Sequence, residues 1–302
     1  MRATDVRDAV PQYSKTFRRS VRRYGLRPVA ALRKPDPRWL FVVGSPRSGT
    51  TFTAESLGRV PGVVDLGEVP RFKAIVPAAY AVVQAGHADL ARKRLAKVLA
   101  LSARAGMGGG SQCLEQTPES TFVIAELAQA FPEAMFVHLI RDGRDVAASL
   151  VERGWLAPGA PAAVVDAAGT TADDAGQPYG DYARFWVEPE RRSEFAAASE
   201  ASRCAWAWRR YESAARESLA ALPAHRVVHI RYEDLVRERA AVAEELAAGL
   251  GRPEEAQHFA SAFAAAHPRS IGRFRTTLLP EQLADVEAEA GGLLGQLGYL
   301  ED

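Results

Sequence analysis

Gly44-Ser45-Pro46-Arg47-Ser48-Gly49-Thr50-Thr51 packs two glycines, four hydroxyl groups and one arginine into eight positions. Between an apolar strand and a helix, such a run lets backbone amides and a helix N-terminus surround an anion. Recognition of a phosphate-like group is the chemistry to expect. The spacing matches G-x-x-x-x-G-K-[ST], except that Thr50 stands in the lysine position and the cation comes earlier, at Arg47. An enzyme of nucleoside triphosphates needs that lysine and a magnesium ligand set. This loop therefore asks for a different anionic ligand.

A second segment, Arg141-Asp142-Gly143-Arg144-Asp145-Val146-Ala147-Ala148-Ser149, follows the apolar run 135–140. An arginine at a strand end and a serine two turns along the next helix can face one anion, and the arginine fork suits phosphate. Taken alone, the segment also reads as a strand-end arginine paired with Asp145. Glu68, in Asp65-Leu66-Gly67-Glu68, follows a short strand, at the carboxyl ends of the strands where parallel-sheet sites lie. Its plainer reading is an acidic cap for the helix that begins at Pro70.

The elements that must position these groups can be read from apolar runs and breakers. Residues 39–43 form a continuous apolar run, read as a strand buried on both faces. Helix is expected at 51–57, a strand at 63–66, two helices over 69–105 and a strand at 112–115. Thr117 is expected to cap a helix running to Ala130, with Pro118 at its first position. A strand at 135–140 and a helix at 142–152 follow. Then come a helix at 195–222, a strand at 226–230, a helix after Tyr232, and helices at 253–266 and 280–297. Strands alternating with helices imply an α/β fold of three layers, with a central parallel sheet flanked by helices. One domain is expected over 39–302. Residues 155–194, with Tyr179, Tyr182, Phe185 and Trp186 among small residues, are read as an acceptor-facing lid.

The two phosphate segments resemble those of the PAPS-dependent sulfotransferases, a P-loop family using 3′-phosphoadenosine-5′-phosphosulfate; the motif style is nearest its tyrosyl-protein and bacterial branches. The resemblance implies transfer of a sulfuryl group from PAPS to a hydroxyl acceptor, with release of PAP and no metal. Arg47 would contact the transferring group and leaving oxygen. Ser48, Gly49, Thr50 and Thr51 would hold the 5′-phosphate, and Phe52 would stack on adenine. Arg141 and Ser149 would bind the 3′-phosphate. The similarity continues at Val228-His229-Ile230-Arg231-Tyr232-Glu233-Asp234-Leu235, placing Tyr232 beside adenine, and at the terminal loop, where Arg269, Ser270 and Arg275 are candidate phosphate contacts. By likeness to the tyrosyl-protein branch, Glu68 would be the general base. Other branches carry a lysine or histidine in the segment matching Glu115-Gln116-Thr117-Pro118, which this chain lacks. Glu115 is then a reserve base, and His138, inside a strand, is read as a core histidine.

Composition bounds the alternatives. A net charge of +1 gives no whole-protein argument for nucleic-acid binding. Two cysteines and six scattered histidines support neither a disulfide framework nor a metal centre. With no apolar leader or membrane-length run, a cytoplasmic location is expected. The basic arm, 1–38, is read as a solvated peripheral helix and linker, with weak contact to an anionic membrane surface or to a polyanionic acceptor as the alternative. The acceptor, whether small molecule, carbohydrate, lipid or tyrosyl group, and the oligomeric state are not legible. The rival functions are a P-loop kinase and a non-catalytic PAP-binding protein.

Overall fold

The computed structural model describes residues 37–106, 112–157, 164–165, 171–172 and 184–300. All but the last two residues of the basic arm lie outside these, as do Tyr179, Tyr182 and most of the expected lid.

Strand β1 (Arg38–Val43) runs into the glycine-bearing loop and helix α1 (Thr50–Leu57). Strand β2 (Val63–Asp65), helices α2 (Pro70–Gln84) and α3 (Ala88–Gly106), and strand β3 (Gln112–Glu115) follow. A 3₁₀ turn (Pro118–Val123) leads into α4 (Ile124–Ala130), β4 (Met135–Ile140) and α5 (Gly143–Val151). Beyond a two-residue antiparallel pair, β5 (Val164–Val165) with β6 (Thr171–Ala172), come α6 (Arg192–Ala197) and α7 (Glu200–Ala220). The chain ends with β7 (Val227–Arg231), α8 (Tyr232–Arg237), α9 (Arg239–Gly249), α10 (Ala256–Ala262), α11 (Phe274–Thr277) and α12 (Pro280–Gln296).

The main sheet has the order β2-β3-β1-β4-β7, with every neighbouring pair parallel. After β1 the chain moves to one side of the sheet, and after β3 it crosses to the other. That makes β1 the switch point, beyond whose carboxyl end ligands bind in open α/β sheets. Alternation along β1 explains the layers: Trp39, Phe41 and Val43 join Phe72, Leu95, Leu99 and Leu127 on one face. Leu40 and Val42 join Leu57, Leu246 and Phe259 on the other. Each such large side chain, removed fully from water, contributes about 1.5–3 kcal/mol. A third cluster, with Val146, Trp206, Trp208 and Leu294, packs α5, α7 and α12 together.

Two expected helices take a different form. Thr117 makes no side-chain cap; its hydroxyl turns back to Glu115, and 118–123 tighten to 3₁₀ geometry before the α-helix starts at Ile124. The expected 195–222 helix is two helices, because Ala198 is extended (ψ 153°) and Ser199 caps α7 by accepting from the Ser202 amide at 3.1 Å. The aromatics at the end of the expected lid also turn inward. Trp186 is buried, and Phe185 packs edge-on to Tyr80 and Phe122.

Candidate active site

The loop after β1 depends on two glycines. At Gly44 (φ 146°) a Cβ would meet the Leu139 carbonyl oxygen at 2.5 Å, and at Gly49 (φ 100°) it would meet the Tyr232 ring at 2.9 Å. The Gly44 amide donates to Thr121 Oγ1 at 3.3 Å, tying the loop to the 3₁₀ turn. Between the glycines, Arg47 adopts the left-handed region (φ 69°), at a cost of about 1–2 kcal/mol for a residue with a Cβ.

From there Arg47 reaches the second segment. Its Nε donates to Ser149 Oγ at 3.1 Å, and its carbonyl oxygen accepts from Arg141 Nη1 at 2.9 Å. Arg141, only 5% exposed at the end of β4, also donates to the Ser270 carbonyl and lies 4.4 Å from the Tyr232 ring centre. The Tyr232 hydroxyl in turn bonds Ser270 Oγ at 2.7 Å. Asp145 accepts from the amides of Gly272 (2.8 Å) and Phe274 (3.0 Å), which fastens the terminal loop over α5.

Burial, and the nearby charges of Arg153, Arg141 and Arg273, hold the Arg47 guanidinium below its ordinary value, with Glu152 pulling the other way. Two buried polar atoms of the cluster, Ser48 Oγ and Arg141 Nε, have no protein partner among the described residues. Crowded guanidiniums beside unmet donors fit a bound anion, which would satisfy the donors and offset the repulsion. No group of carboxylates, histidines or cysteines able to hold a metal occurs among the described residues.

Across β3, Glu68 closes the turn after β2. Gly67, in the left-handed region (φ 68°), donates its amide to Asp65 Oδ1 at 2.7 Å, and the Glu68 side chain remains 34% exposed. Glu68 Oε2 lies 3.0 Å from Lys73 Nζ, which is also 3.6 Å from Glu119 Oε1.

The description "Sulfotransferase family" matches this chain over residues 37–256, well over half its length. The chain belongs to the sulfotransferase family. Among solved structures, the sulfotransferase domain from the curacin biosynthetic pathway is similar at 14% identity and TM-score 0.55, covering 89% of this chain and 100% of that one. The sulfotransferase domain of the Synechococcus PCC 7002 olefin synthase gives 14% and 0.52, covering 89% and 98%. The sulfotransferase STF9 from Mycobacterium avium gives 14% and 0.52, covering 97% and 84%. Likeness at this identity shows the shared fold, the P-loop-type sheet with helices on both faces. No curated protein sequence matches the chain.

Within this sulfotransferase fold, Arg47, Ser48, Gly49, Arg141, Ser149, Tyr232 and Ser270 meet in one cluster. Thr50 is buried and Thr51 exposed at the start of α1, while Phe52 is half-buried at 6.1 Å from the Phe263 ring. Arg269 and Arg275 are exposed, and it is Arg273, overlooked in the sequence, whose charge acts on Arg47 while it pairs with Glu152. Lys73 and Glu119 were overlooked too. His138 is buried in β4, 3.3 Å from Glu212 and 3.1 Å from His229. No helix among the described residues is long and apolar enough to cross a membrane.

Glu115 does not suit the reserve role. Its carboxyl is fully buried and accepts from the Thr117 amide at 2.9 Å. Burial pushes it up from 4.5 to about 8, with the charge of Glu68 adding and hydrogen bonds from Thr117 and Val69 opposing. The folded protein thus keeps a proton here that the unfolded chain releases. The stability gained is complete below pH 4.5 and is lost as pH rises through about 8. Glu115→Gln should therefore flatten the fall in thermal midpoint between about pH 5 and about pH 8. Equal slopes in variant and native protein would reject this account.

Proposed function

We propose that this sulfotransferase takes its sulfuryl group from PAPS and passes it to a hydroxyl acceptor, releasing PAP. The observation that carries the reading is the meeting of the two anion segments, where Arg47 bonds Ser149 at 3.1 Å and Arg141 bonds the Arg47 carbonyl at 2.9 Å. One segment suits a 5′-phosphosulfate and the other a 3′-phosphate, and PAPS carries both groups.

In the reaction the acceptor oxygen forms a bond to sulfur as the bond from sulfur to the 5′-phosphate oxygen breaks. Arg47 offsets the charge that develops on the leaving oxygen, and Glu68 takes the acceptor's proton. Ser48, Gly49, Thr50 and Thr51 hold the 5′-phosphate, and Arg141, Ser149 and Ser270 hold the 3′-phosphate end. Phe52 and Tyr232 flank adenine, and Arg269 and Arg275 sit at the outer edge of the loop. A cytoplasmic setting suits Cys113 and Cys204, both buried as free thiols.

Calorimetry with PAP, AMP and ATP-magnesium tests the donor. Charged hydrogen bonds to the 3′-phosphate are worth about 1.5–3 kcal/mol, so PAP should bind about 10- to 150-fold tighter than AMP, without magnesium. Tighter binding of ATP-magnesium than of PAP would restore the kinase reading. Consumption of PAPS when acceptors are supplied separates an enzyme from a PAP-binding protein.

A further inference from the structure

Lys73 stands on the first turn of α2, its amide bonded to the Val69 carbonyl, and its side chain is only 6% exposed. A buried ammonium is stable only beside anions. Two carboxylates lie beside Lys73 among the described residues: Glu119 Oε1 at 3.6 Å, with a side chain 5% exposed, and Glu68 Oε2 at 3.0 Å, with a side chain 34% exposed. The Tyr211 hydroxyl, on α7, donates to Glu119 Oε1 at 3.5 Å and steadies the inner carboxylate. One carboxylate thus anchors the ammonium from within, while the other faces outward.

We propose that Lys73 is a positioning residue for Glu68. The inference rests on Glu68 being the base. Held from below by Glu119, the ammonium grips Glu68 Oε2 and turns Oε1 toward the acceptor hydroxyl. Before transfer, one positive charge is shared between two negative ones. When the acceptor's proton moves to Glu68 Oε1, Glu68 becomes neutral and Lys73 is left paired one-to-one with Glu119.

The test combines a mutant cycle with a spectroscopic readout. PAP release from PAPS is followed with a panel of phenols, alcohols and sugars in native protein, Lys73→Met, Glu68→Gln and the double variant. Lys73→Met should cost about 10- to 100-fold in turnover, the scale of a misplaced catalytic group, with PAP affinity unchanged. In the Glu68→Gln background it should cost nothing more. Because Lys73→Met strands a buried carboxylate, Lys73→Met/Glu119→Gln supplies a version without either charge, and it should show the same loss. Independently of any acceptor, the Lys73 ammonium resonance in nitrogen-15 NMR should shift in both Glu68→Gln and Glu119→Gln. Multiplicative losses in the cycle, or an ammonium resonance indifferent to Glu68→Gln, would overturn the proposal. Near-normal turnover in Glu68→Gln alone would overturn the base reading instead, leaving the NMR result to judge the pairing.

Discussion

Glu68→Gln should lower turnover by about 10²–10⁴-fold, the usual contribution of a positioned general base, and leave PAP affinity where it was. The amide keeps the shape of the carboxylate and cannot take the acceptor's proton. The fold should survive, because Lys73 keeps Glu119 at 3.6 Å as a counter-charge. Raising the pH should narrow the deficit for a phenol, which ionises without help. It should do nothing for Arg47→Ala, whose defect lies in charge at the leaving oxygen. A Glu68→Gln enzyme with near-normal turnover would hand the proton to solvent, since Glu115 is sealed in the core.

Arg141→Ala should weaken PAP binding by about 10- to 150-fold, the equivalent of about 1.5–3 kcal/mol for hydrogen bonds to a charged group. AMP, without a 3′-phosphate, should lose much less, and that difference separates a phosphate contact from a general loosening. Some loosening is expected as well, because Arg141 also joins the Arg47 and Ser270 carbonyls and stacks on Tyr232. Calorimetry with both nucleotides decides: equal losses mean a structural arginine, and an unchanged PAP dissociation constant means no contact.

The sheet and the glycine-bearing turn after β1 were legible because their signals are local. The 39–43 run is apolar throughout and 135–140 is apolar but for His138, and each is followed by a residue with a positional meaning, glycine in one case and arginine in the other. Burial of β1 from Trp39 to Val43 and of β4 from Phe136 to Leu139 follows from that pattern. Tertiary pairing leaves no such mark. Nothing in the spacing of Glu68, Lys73 and Glu119 announces a triad, since its members come from a turn, a helix and a 3₁₀ segment that the sheet brings together. Among the three arginines of the terminal loop, it is Arg273 whose charge acts on Arg47, and Asp145 fixes the backbone on either side of it at Gly272 and Phe274. Spacing within the loop cannot disclose an anchor on another element. Thr117 misled for a similar reason: a buried carboxyl two residues earlier claims the hydroxyl that would otherwise cap a helix.

The 3₁₀ turn at Pro118–Val123 has a bearing on how this scaffold could be re-engineered. Thr121 accepts from the Gly44 amide of the loop after β1, and Glu119, two residues away, pairs with the ammonium that pairs with Glu68. The loop after β1 and the turn carrying Glu68 both hang from one six-residue peg. Substitution of Thr121 should act on the loop after β1 and substitution of Glu119 on Glu68 through Lys73, so a library seeking new acceptors gains nothing by varying either. Diversity belongs on segments that touch neither Thr121 nor Glu119, with the peg left as it stands.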